Sequence, residues 1–422
     1  MDNKQVFALA RKNLVFDASF TSAFHTASGV RFQDIEGRSY IDFSSGYGVS
    51  NIGWQHPEMI ALLQQQAAKS NYAPPWMPTE EAALLAERLV KFVPDSGYKV
   101  LRATGGGDAN EIILKVLFAS QGKGSVLSFY RSYHGGTHAA LGMSDIKAFK
   151  LPEIRKEYEE HKVEPPYCFR CPVKKDPLTC HTECLQLVEE KLRENPDIRI
   201  FMAEPILGSG GVIVPPKNYF IQLRTLCDHY QVVLVMDEVL TGNGRTGHWL
   251  ASEHFSIVPE AFTLAKGLAS GYAAIGAAMI KEEYLETYYK YDDVSSSFAW
   301  TPMACAAALK NLEILERDSY LENARIQGDY LKTNFEFLLR KKLPEQFGEV
   351  RGLGAMLGCE FVDNQRNKNP NPRLGMRVLL GMLKRGCMWC ASWDYTVMIA
   401  LPPLCITKDE CDEALNILDV SL

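Results

Sequence analysis

Residues 232–267, VVLVMDEVLTGNGRTGHWLASEHFSIVPEAFTLAKG, decide the fold. The apolar run that opens this stretch reads as a strand buried on both faces of a parallel sheet, and it delivers Asp237 at its carboxyl end. A second apolar run, AFTLAKG, delivers Lys266 just before a glycine-rich turn. Open α/β sheets bind ligands outside the carboxyl ends of their strands, so both side chains can rise into one crevice. A lone Lys or Asp at a strand end is usually a surface group or a turn former. The spaced pair suits an aromatic aldehyde held by Lys266 as a Schiff base, with Asp237 keeping a pyridine nitrogen protonated.

MDEVLTGNGRTG followed by TLAKGLASGY resembles the signature of class III pyridoxal-phosphate (PLP) aminotransferases, the group that includes ornithine and 4-aminobutyrate aminotransferases. The resemblance covers nearly the whole chain. It implies an α/β, aspartate-aminotransferase-like fold (fold type I). A mainly parallel-sheet large PLP-binding domain spans 61–312, and a smaller α+β domain is built from both termini, 1–60 and 313–422. It also implies transfer of an amino group between an amine and a keto acid. Epimerases, aminomutases, a decarboxylase and phospholyases share the same machinery. One competing pattern lies in the same stretch, because Gly242, Gly244 and Gly247 spell the dinucleotide fingerprint G-x-G-x-x-G. Glu238 to Thr241 separate it from the strand, and His248 and Trp249 follow where a packed helix needs small residues. A nicotinamide dehydrogenase is thus a minor alternative, and a scaffold without turnover fits poorly with a complete Asp237, Lys266 and Glu204 set.

Size and composition set bounds. At 422 residues the chain can bury a large core, and a formal net charge of −6 offers no basic stripe for nucleic acid. The opening MDNKQVFALARKNLVF lacks the uninterrupted apolar core of a signal peptide, and no stretch suits a bilayer span, which points to the cytosol. Eleven cysteines, an odd number, point to reduced thiols.

Working outward, VLRATGGGDANEIILKVLFAS reads as strand, glycine turn and a helix starting near Asp108. Such a turn lets backbone amides approach an anion, with the positive end of the helix dipole behind them. It resembles the family's phosphate cup, with the amides of Gly106 and Gly107 as binders and Thr104 assisting. By the same resemblance Tyr133 of SYHGG stacks on the cofactor ring and Val239 packs on its opposite face. Glu204 of the AEP motif orders the floor. Tyr47 lines the substrate pocket, to which Trp76 is also assigned. Leu240 stands where many relatives carry Gln. Ser297 falls at the position that reaches a partner subunit's cofactor phosphate, which implies a homodimer with shared sites. Ile399 stands where carboxylate-binding relatives carry Arg, the side chain that grips a carboxylate by two parallel bonds. An amine donor without an α-carboxylate is therefore expected, with Asp394 available to meet a distal cation. His134 and His138 are read as non-metal residues. Residues Lys147–Pro166 read as a surface excursion. Cys168, Cys171, Cys180 and Cys184 beyond it have zinc-like spacing, though relatives carry similar cysteines without a metal that catalysis needs.

Overall fold

The computed structural model describes residues 1–15, 22–94, 97–145, 161–176, 178–290 and 296–422. Strands β1 (Phe24–Ser28), β2 (Arg31–Asp34) and β3 (Ser39–Phe43) come first. After them run β4 (Tyr98–Ala103), β5 (Ser125–Phe129), β6 (Lys162–Val163), β7 (Ile198–Ala203), β8 (Val233–Asp237), β9 (Ala261–Leu264) and β10 (Gly276–Lys281). The chain closes with β11 (Phe347–Leu353), β12 (Met356–Phe361), β13 (Cys387–Ala391) and β14 (Val397–Ala400).

These strands form two sheets, ordered β4-β10-β9-β8-β7-β5-β6 and β1-β2-β3-β13-β14-β12-β11. In the first, β9, β8, β7, β5 and β6 pair in parallel, and β10 runs antiparallel between β4 and β9. The buried strands show why. In β8, Leu234 and Met236 join one apolar cluster while Val233 and Val235 join another on the opposite face. Each fully buried side chain of this size stabilises by about 1.5–3 kcal/mol, so the sheet is held from both sides. The helix Gly106–Gln121 covers one face with Ala109, Ile112, Ile113, Val116 and Leu117.

The second sheet draws on both ends of the chain. β3 pairs in parallel with β13, Ile41 opposite Cys387, and Phe43 stacks on Trp389 at 5.4 Å. Helices Pro302–Arg317 and Tyr320–Lys342 link the sheets, with Thr301 capping the first. Ser319, at φ +55, separates the two helices. Near the first residues lies a helix, Asn3–Asn13, capped by a reciprocal Asp2–Gln5 pair. Of the stretch read as a surface excursion, residues 147–160 lie outside those described, but Lys162, Val163, Pro165 and Pro166 are buried, because β6 extends the large sheet beside β5. Among the described residues no helix is long and apolar enough to cross a membrane.

Candidate active site

The parallel strands end on one side of the large sheet, and their following loops line a cavity of about 350 Å³. β4 leads to Thr104–Gly107, β5 to Tyr133 and His134, β7 to Glu204, β8 to Asp237 and Val239, and β9 to Lys266. The predicted acid and amine therefore share one chamber. Asp237 is buried and Lys266 partly so, and Lys266 adopts φ +39, an unusual backbone for a side-chain-bearing residue at a strand end.

Asp237 is held by three groups. Its Oδ2 meets His134 Nδ1 at 2.8 Å and accepts from Asn110 Nδ2 at 2.9 Å, while its Oδ1 accepts from the Val239 amide at 3.0 Å. Asn110 is itself fixed, donating to the His134 carbonyl and accepting from Thr263 Oγ1 at 2.8 Å. Sequence reasoning passed over both residues. His134 directly follows the singled-out Tyr133, and Asn110 lies one turn inside the glycine-led helix; those positions were the available signal.

Burial lowers the affinity of Lys266 for its proton, opposed by the nearby carboxyls of Glu204 and Asp237. Its ammonium nitrogen lies 5.5 Å from the centre of the Tyr47 ring. Glu204 accepts from the amides of Tyr133 and Gly208, both at 2.9 Å, yet burial pushes its carboxyl up to about 7. Burial likewise raises the Tyr47 and Tyr133 phenols.

At the helix end, Gly105 caps Gly106–Gln121 without a side-chain bond, so the helix starts two residues earlier than expected. Thr104 donates to Asp108 and lines the cavity, and this internal bond occupies the hydroxyl proton assigned to an anion. Gly106 is required sterically: a Cβ there would lie 2.7 Å from Val239 Cγ1. A row of amides, a helix dipole, an aromatic face, an apolar face, an acid and a buried amine fit the phosphate, ring, pyridine nitrogen and aldehyde of PLP. The G-x-G-x-x-G stretch forms turns, not a strand-turn-helix unit, and buries Arg245 at its centre.

Three assigned residues fall elsewhere. Ile399 is fully buried and packs into the large core without lining the cavity, because the two-residue period of β14 turns Val397 and Ile399 toward that core. Trp76 is 82% exposed and outside the cavity of its own chain. Ser297 is exposed and also outside it. Leu240 does line the cavity, filling the space left by Gly48 and Gly208. The four loop cysteines are free thiols, with Cys168 and Cys184 raised by burial, Cys184 to about 12. Among the described residues no three His, Cys, Asp or Glu side chains are arranged to hold a metal ion.

The family model "Aminotransferase class-III" matches residues 17–422. The chain is 30% identical over 400 residues to a leucine/methionine racemase of Thermococcus litoralis, covering 93% of this chain and 88% of that one. It is 31% identical over 396 residues to a 5-aminovalerate aminotransferase of Pseudomonas aeruginosa, covering 91% and 89%. A crystal structure of a Bacillus anthracis aminotransferase superposes with a TM-score of 0.89 at 27% identity, covering 100% and 99%. With the fold, the acid–amine pair and the phosphate-type helix terminus already in place, the match over nearly the full length makes this chain a class III aminotransferase, a PLP-dependent transaminase.

Proposed function

We propose that this transaminase takes amine donors lacking an α-carboxylate, and that Lys266 and Asp237 carry its chemistry. The observation that carries the donor class is the absence of arginine among the described cavity-lining residues; the position where carboxylate-binding relatives carry arginine holds Ile399, which faces the core. Diamines, amino alcohols and amino sugars are the candidate donors.

PLP, when bound, supplies an electron sink for the charge left on the substrate carbon. Lys266, made less basic by burial, would take the proton from the donor carbon in the amine half of the cycle and deliver one to the keto-acid carbon in the other half. Asp237 would pair with the pyridine nitrogen, and His134, Asn110 and the Val239 amide fix its angle. Tyr133 and Val239 would flank the ring, the Gly106 and Gly107 amides would take the phosphate, and Glu204 orders Tyr133 and the 208 loop. Tyr47 crowds water away from the Lys266 amine.

The assembly we propose is a cytosolic homodimer in which Ser297 completes the partner's phosphate site. Ser297 is exposed beside Phe298, whose ring lies 6.1 Å from that of Tyr72, and Trp76 and Met77 are exposed as well. An apolar patch of this kind favours burial against a second copy. We place the domain boundaries near residues 60 and 312, supported by the division of strands between the two sheets.

The test is a half-reaction screen: loaded protein is mixed with single amines without acceptor, and bleaching of its visible band identifies the donor. Reaction confined to α-amino acids would refute the donor class. Racemisation is a second reading, favoured by the match to the Thermococcus racemase. The same samples separate the two, since a racemase inverts its amino acid without consuming a keto acid.

A further inference from the structure

The turn that follows Glu204 is held in an unfavourable backbone shape. Leu207 and Ile213 exchange both backbone bonds at 3.1 Å, and between them the amides of Gly211 and Val212 donate to the Gly208 carbonyl at 3.0 and 3.1 Å. Val212 closes the turn at φ +55, a left-handed conformation that a β-branched side chain rarely enters. It is fully buried against β12, where a Cβ on Gly358 would lie 3.1 Å from that of Val212. Relaxation of Val212 would disturb two walls of the cavity. The Gly208 amide donates to Glu204 Oε2 at 2.9 Å, and Glu204 in turn accepts from the Tyr133 amide. Ser209 lines the cavity and faces the Tyr47 phenol, whose ring centre lies 5.5 Å from Lys266 Nζ.

The restraint on this turn comes from the other sheet. Arg351 of β11 donates through Nε to the Gly211 and Val212 carbonyls, at 3.0 and 2.9 Å, and through one terminal nitrogen to Gly211 again. Its other terminal nitrogen reaches Glu349 at 2.8 Å and Glu360 of β12. Glu360 is fully buried and is also met by Arg170 and the Tyr167 hydroxyl, and the Tyr167 ring centre lies 4.9 Å from the Arg351 guanidinium carbon. A guanidinium is a rigid planar fork, so a carboxylate fixed on one edge aims the other edge at the turn. The amine of a lysine offers no such second edge. With Arg351 replaced, Glu360 still keeps Arg170 and Tyr167, so its buried charge is not left alone.

We propose that Arg351, aimed by Glu360, is a positioning residue of the active site: it clamps the Gly208–Val212 turn so that Ser209 and the Gly208 amide hold the walls beside Lys266. Arg351 does not itself line the cavity. It acts from the small sheet on a loop of the large one, so the shape of the site depends on how the two sheets are docked. This role is the same whichever amine the enzyme takes.

The test compares wild type with Arg351→Met, Arg351→Lys and Arg170→Met, the last of which takes a guanidinium from the same carboxylate but leaves the bonds from Arg351 to the turn in place. Hydrogen exchange of the full-length protein reads the turn directly. The amides of Gly208, Gly211 and Val212 exchange roughly tenfold faster or more in both Arg351 variants, and at the wild-type rate in Arg170→Met. Loss of the visible band of the holoenzyme to hydroxylamine and to O-benzylhydroxylamine reads the walls, because the larger probe must pass them and the smaller need not. The ratio of the two rates shifts by roughly tenfold in the Arg351 variants and stays put in Arg170→Met. Arg351→Lys keeps the positive charge, so it serves as the folded variant if Arg351→Met does not accumulate. Unchanged exchange and ratio in the Arg351 variants, or equal changes in Arg170→Met, overturn the proposal. A wild type with no visible band to lose would remove the Lys266 reading and leave the exchange comparison to decide Arg351.

Discussion

Replacing Glu204 with glutamine should strip a pH dependence from the stability of the cofactor-free protein. The wild-type carboxyl is fully enclosed, and burial raises it from 4.5 to about 7 even though two amides donate to it. Between those values the unfolded chain has released the proton and the folded chain still holds it. The folded state therefore loses stability as pH rises through this window: the contribution is complete below about 4.5 and gone above about 7. A rise of that size corresponds to about 3 kcal/mol. Glutamine keeps one acceptor but turns an NH₂ toward the other amide, which costs about 1–3 kcal/mol at every pH alike. Offset and slope are thus separable. Denaturant unfolding of both cofactor-free proteins from pH 4.5 to 8 should show the wild-type advantage shrinking by about 3 kcal/mol. A difference that stays constant across the range would mean that Glu204 ionises like an exposed carboxylate, and the reasoning about the cavity floor would be wrong.

Other outcomes follow from the same geometry. Lys266→Ala, soaked in pyridoxal phosphate, should lack the visible band of the wild type and turn over roughly 10³-fold more slowly or worse, checked by absorbance and steady-state assay. Asn110→Ala unpairs Thr263 Oγ1 and the His134 carbonyl and leaves Asp237 Oδ2 with His134 alone. It should destabilise the cofactor-free protein by about 1–3 kcal/mol and weaken cofactor binding, measured by unfolding and by titration. Chelator treatment should leave the melting temperature within about 1 °C, because among the described residues no three His, Cys, Asp or Glu side chains are arranged to hold a metal ion. A larger fall with loss of bound zinc would revive a metal at Cys168–Cys184.

That Asp237 and Lys266 share one cavity was legible because each ends an apolar run, and strand direction alone brings such ends together. Gly106 and Gly107 were legible for a similar reason, as consecutive glycines between a strand and a helix. The residues that hold Asp237 were not, since Asn110 and His134 lie 127 and 103 positions away and only the packing of helix on sheet joins them. Trp76 and Ile399 lie outside the cavity of their own chain for opposite reasons. One sits on the surface of its own chain, and the other obeys the pleat of β14, which a motif comparison does not register. Lys162 was hidden by its charge: it is buried, with its ammonium on Ser128 Oγ and the Met143 carbonyl, inside a segment whose composition looks solvated.

The parallel pairing of β3 with β13 has a consequence for how the molecule is made. The early strands emerge from the ribosome about 350 residues before the neighbour that completes their sheet. Long-range pairing of this kind is slow and leaves edges open in the meantime. During synthesis the large sheet can close around its own loops while β1–β3 wait, so the nascent chain must be shielded until the distant strand arrives. Truncations near residue 387 should therefore yield aggregates, not a smaller working enzyme.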